Sequence, residues 1–115
     1  MAAHMPPTSR RDLLPGMLDM LILKTLSVQS MHGYGIAQHL LRLSGDVIHV
    51  EEGSLYPALQ RMRQKGWIKA EWRQTPNNQR ARYYTITASG RRHLGEEEGR
   101  FEDLMAAVRR VMRPA

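Results

Sequence analysis

With 115 residues the chain has room for one hydrophobic core and a terminal extension, and not for two independent domains. Seventeen lysines and arginines against eleven aspartates and glutamates give a net charge of +6, which favours a polyanionic partner over an acidic protein surface. The absence of cysteine excludes a disulfide framework and thiolate metal sites, and makes the cytoplasm the expected location.

Residues 1–12 carry Pro6, Pro7, Arg10 and Arg11 without an apolar period, so a flexible basic arm is expected there. Within it, Met1-Ala2-Ala3-His4 reads as an expression remnant ahead of a start at Met5, and no cleavable secretion signal is expected. From about Gly16 to Gln29, Leu18, Leu21, Ile22 and Leu26 recur at helical spacing, with Leu13, Met17, Met20 and Leu23 on the other side. Asp19 and Lys24 interrupt the apolar run Met17 to Leu26, which is too short to cross a bilayer, so no membrane association is expected. A helix this apolar must be covered on two faces, one by its own core and one by a second subunit.

Met31-His32-Gly33-Tyr34-Gly35 is expected to turn on its two glycines, and Ile36, Leu40 and Leu43 then mark a short second helix. Ser44-Gly45-Asp46 ends it, and Val47 to Val50 has the β-branched character of one brief strand. Glu51, Glu52 and Pro57 suit the first turn of a third helix, whose inner stripe is Leu55, Leu59 and Met62. Its outer side, with Pro57, Gln60, Arg61 and Gln64 flanked by Tyr56 and Arg63, is polar, basic and partly aromatic. Gly66 stops this helix. Two strands, Ile68 to Gln74 and Ala81 to Thr87, are joined by the turn Thr75-Pro76-Asn77-Asn78 into a hairpin with Arg73, Gln79, Arg80 and Arg82 at its tip. Trp67, Trp72 and Tyr84 are expected in the core.

Thr87 caps a last helix that carries Leu94, Phe101, Leu104, Met105, Val108 and Met112, of which Phe101, Leu104 or Met105, and Val108 approximate a heptad seam. A second copy of the chain is the expected cover for it.

Three helices, a hairpin and a long amphipathic helix make a mainly α chain with a small β-hairpin wing: a winged helix-turn-helix over residues 13–87 and a dimerisation helix over residues 88–115. In that plan the third helix is sized for the major groove while the wing holds the backbone. Leu18-Asp19-Met20-Leu21-Ile22-Leu23, then His32-Gly33-Tyr34-Gly35-Ile36, Glu52-Gly53-Ser54-Leu55-Tyr56-Pro57-Ala58-Leu59, and Arg82-Tyr83-Tyr84-Thr85-Ile86-Thr87 with Gly90 resemble the PadR family of transcriptional regulators, roughly from residue 13 to the end. The resemblance implies a homodimeric repressor that leaves its promoter when a small effector binds. It places Tyr34, Ser54, Tyr56, Pro57 and Arg61 on DNA, with Arg80 and Arg82 from the wing, and Gln60 and Gln64 join them on the outer face. Dimerisation falls to the first and last helices, through Leu18, Leu21, Ile22, Leu94, Phe101, Leu104, Met105 and Val108. One helix after the wing matches the short branch of the family, whose longer members build much of their effector pocket from further helices.

No nucleophile, base and orienting residue form a recognisable constellation, no phosphate loop is present, and the five histidines lack ligand spacing, so neither enzyme activity nor a metal or cofactor is expected. The rival reading is a winged-helix module whose outer face binds a protein. Such a face is apolar at its centre, whereas Gln60, Arg61 and Gln64 are not.

Overall fold

The computed structural model describes residue 13 and residues 16–114, so the expected basic arm of residues 1–12 lies outside the described residues. Helix α1 spans Met17–Val28, strand β1 Met31–His32, helix α2 Gly33–Leu43, helix α3 Glu52–Gln64, strands β2 and β3 Ile68–Gln74 and Arg80–Ile86, and helix α4 Ala88–Met112. The strands form an antiparallel sheet in the order β1-β3-β2, with Ile68 opposite Ile86, Trp72 opposite Arg82 and Met31 opposite Tyr84. This is a winged helix with a three-stranded sheet, mainly α with a small β wing.

The core gathers Ile22, Leu23, Ile36, Leu55, Leu59, Met62 and Ile68, all essentially without solvent contact. Helix α1 runs through its centre and touches α2, α3, α4 and β3. The expectation that one face of α1 waits for a second subunit is therefore corrected in part. Its own chain covers Leu18, Met20, Ile22, Leu23 and Leu26, leaving Lys24 and Val28 exposed and Leu21 half-buried.

Helices α2 and α3 end alike. Gly45 and Gly66 take φ of 66° and 77°, and each allows the two crossing bonds of a glycine-terminated helix. Gly45 N donates to Arg42 O and Asp46 N to Leu41 O in the first, Gly66 N to Arg63 O and Trp67 N to Met62 O in the second. Asp46 follows with φ 64°, and this abrupt reversal leaves the expected strand at Val47 to Val50 as a single bridge at Ile48, with Val50 buried as a plug.

Two other expectations change. Met31 and His32 extend along β3, with Ser30 Oγ and Thr85 Oγ1 2.7 Å apart, so the segment read as a turn opens with a strand. Gly33 and Gly35 lie within α2 and neither has positive φ. Gly33 is small for another reason: a Cβ there would stand 2.6 Å from the Tyr56 hydroxyl oxygen. Helix α3 begins a turn earlier than its proline suggests, with Glu51 as N-cap and Pro57 as its sixth residue. Pro57 deprives the Gly53 carbonyl of a donor, which is tolerated because both residues face solvent.

Thr87 fixes α4 to the end of α3. Its Oγ1 accepts from Gly90 N at 3.0 Å and lies 2.6 Å from Gly66 O, the acceptor of its proton. Gly90 lets the first turn of α4 sit on the Trp67 carbonyl, and His93 stacks on the Trp67 ring at 3.6 Å.

Candidate nucleic-acid interface

Directly opposed residues of an antiparallel pair share a face, so the register makes Ile68, Ala70, Trp72 and Gln74 one surface with Ile86, Tyr84, Arg82 and Arg80. At the base of the hairpin this surface is core, with Ile68, Ile86 and Tyr84 buried. Beyond Ala70 the strands outrun the globule, and the same surface carries an indole and two guanidinium groups. Trp72, expected in the core, is 59% exposed for that reason. The guanidinium carbons of Arg80 and Arg82 lie 5.4 and 5.8 Å from its ring centre, within cation–π range. Arg82 Nε is buried and has no hydrogen-bond partner among the described residues.

Opposite this surface stand the first turn of α2 and the ring of Tyr56. His32 caps α2, its Nδ1 accepting from Gly35 N at 2.9 Å, and its ring packs beside Tyr34 and Tyr83. Tyr34 projects outward, 66% exposed. Between the two sides lies an open concavity of about 950 Å³ that brings together Tyr34, Tyr56, Arg80 and Arg82 from the expected set. Gln38, Arg42 and Trp72 also line it, and sequence reasoning placed none of them at the site. Trp72 was accessible to that reasoning, because its alternation with Arg82 follows from the hairpin register; Gln38 and Arg42 needed the tertiary position of α2.

The remaining candidates sit on the outer side of α3. Pro57, Gln60 and Gln64 are exposed, while Ser54 is half-buried near the helix start. Tyr56, 43% exposed, links the outer side to the concavity. Burial, then the Glu52 carboxylate and the Tyr84 phenol, raise its pKa above the usual tyrosine value of 10.0, so it remains a hydrogen-bond donor at neutral pH. Arg61 is not a free member of this face: its Nη2 donates to Oδ1 of Asp19 in α1.

The expected dimer residues divide into two groups. Leu18, Ile22 and Leu94 are buried inside their own chain, which corrects their assignment to a seam, since little of their surface remains for another copy. Leu21, Phe101 and Met105 are half-buried, whereas Leu104 and Val108 are exposed and continue into exposed Val111 and Met112.

A three-helix core, a third helix with one exposed polar side and a basic wing that shares a concavity with its Tyr56 define a winged-helix regulator of transcription. Residues 22–96 match the transcriptional regulator PadR-like family, and the chain belongs to that family, whose members are DNA-binding transcriptional regulators and not enzymes. An uncharacterised protein of Lysinibacillus sphaericus is 30% identical over 87 residues, 76% of this chain and 80% of its own. Among solved structures, a PadR family transcriptional regulator from Eggerthella lenta superposes with a TM-score of 0.75 at 28% identity, covering 87% of this chain and 85% of that one. A PadR family regulator from Clostridium difficile gives 0.73 at 27%, covering 85% and 100%. A regulator from Clostridium thermocellum shares the fold with a TM-score of 0.78 at 23% identity, over 85% and 95% of the two chains. No helix among the described residues is long and apolar enough to cross a membrane.

Proposed function

We propose that the chain is a sequence-specific, cytoplasmic transcriptional repressor that acts as a homodimer on a two-fold operator and responds to a small effector. The observation that carries this reading is convergence. Tyr34 of α2, Tyr56 of α3 and the Trp72–Arg80–Arg82 surface of the wing line one open concavity, and Tyr56 joins it to the exposed outer side of α3. Gln60 and Gln64 suit hydrogen bonding to base edges in the major groove. Tyr34, Tyr56, Arg80 and Arg82 suit phosphates, and Ser54 and Pro57 lie beside them at the start of the helix.

Pairing through Leu104, Val108, Val111 and Met112 would cover the apolar side chains that α4 exposes past Phe101. Repression by occupying a promoter needs no more than two reading helices held at fixed spacing. For the effector, clefts flank Phe101 on both sides, one lined by Met17, Met20 and Leu104 and the other by Met20, Leu21 and Lys24.

Footprinting on the DNA upstream of the protein's own gene, paired with sedimentation, tests the proposal. A dimer protecting two half-sites about 34 Å apart supports it. A monomer that protects no duplex would favour the protein-binding alternative.

A further inference from the structure

Asp19 is the one carboxylate of α1, and it stands among Leu18, Met20, Ile22 and Leu23, which are buried. Its side chain retains only 12% exposure. A charge so placed is tolerated only when paired, and the partner is Arg61, 42 residues further along the chain on the edge of α3. The Arg61 side chain is still 42% exposed, close enough to the outer side of the helix to reach for a phosphate. Doing so would strand the Asp19 carboxylate. Water would reach that carboxylate on one side only, whereas a DNA phosphate remains hydrated and has other counterions.

From this asymmetry we infer that Asp19 is a positioning residue: it withholds Arg61 from the DNA backbone and commits that charge to holding α3 against α1. The inference rests on the DNA-binding reading above. Its consequence is a reading face led by Gln60, Gln64 and Tyr56 without a full positive charge from Arg61. Sequence-independent attraction, which comes from neutralised phosphates, is weaker by one contact at every site.

The test is the dependence of log K on log salt for a random-sequence 20-base-pair duplex, measured by fluorescence anisotropy, with folding of every variant checked by circular dichroism. Asp19→Asn frees Arg61, and the slope should steepen by about 0.9, the value of one additional phosphate. Combining Asp19→Asn with Arg61→Gln leaves a neutral pair that keeps the helices together, and its slope should equal that of the parent. An unchanged slope in folded Asp19→Asn overturns the inference. So does a double variant whose slope is shallower than the parent's by about 0.9, because Arg61 would then already be on a phosphate. Should Asp19→Asn fail to fold, the double variant alone decides. If the parent itself shows no salt-dependent binding, the DNA-binding reading fails, and this inference with it.

Discussion

Gly33→Ala separates stability from DNA binding. A methyl group at that position would stand 2.6 Å from the Tyr56 hydroxyl oxygen and 2.8 Å from two ring carbons, against the 3.5–4.0 Å of ordinary contact, so the ring must retreat by roughly 1 Å. Tyr56 is 43% exposed and has solvent to retreat into. An off-rotamer side chain costs about 0.5–1.5 kcal/mol, and Gly33, as the first residue of its helix, regains little from alanine, so stability should fall by no more than about 1.5 kcal/mol. On the proposed reading, however, the displaced hydroxyl loses its phosphate. A hydrogen bond to a charged group contributes about 1.5–3 kcal/mol, which is a ten- to hundredfold loss of affinity, roughly. Urea unfolding and anisotropy titration with a duplex measure the two effects on one preparation. A folded variant that binds as tightly as its parent would refute the assignment of Tyr56 to the interface.

Gly90→Ala should act oppositely. Its methyl group would stand 2.1 Å from the Trp67 backbone carbonyl, which cannot yield as a tyrosine ring can, so a loss of about 3 kcal/mol is expected in urea unfolding, at the upper end for overpacking. Leu104→Glu together with Val108→Glu places charges on the exposed apolar side of α4 and should leave a folded monomer in sedimentation; a persistent dimer would put the seam elsewhere. Because the folded pKa of Tyr56 is raised, the folded state holds a proton that the unfolded chain releases near pH 10.0, so this contribution to stability is complete below that pH and declines as pH rises above it. One of the four tyrosines should accordingly titrate late at 295 nm, and Tyr56→Phe should remove that component.

Periodicity and punctuation made most of the fold legible. The stripe Leu55, Leu59, Met62, the stops at Gly45 and Gly66, the cap at Thr87 and the β2 strand from Ile68 to Gln74 are all local, and each lies where the pattern puts it. What escaped depends on distant partners. Met31 and His32 become a strand only because β3 offers an edge, and Gly33 is small because Tyr56, from another helix, leans on it. Trp72 looks like core until the hairpin is seen to outrun the body. For the site, the polar outer side of α3 was readable from helical rotation, but the Asp19–Arg61 pair was not, since 42 residues separate its members and nothing local marks them as partners.

The claim on which the account depends is that α3 and the wing meet a duplex together. The most direct measurement is a titration of the isotope-labelled protein with a 20-base-pair duplex at low salt, following backbone amide resonances. Shifts should concentrate at Tyr34, along Gly53 to Gln64 and from Trp72 to Arg82, and leave the core end of α1 unchanged. Resonances that stay still on α3 while others move along α4 would contradict it.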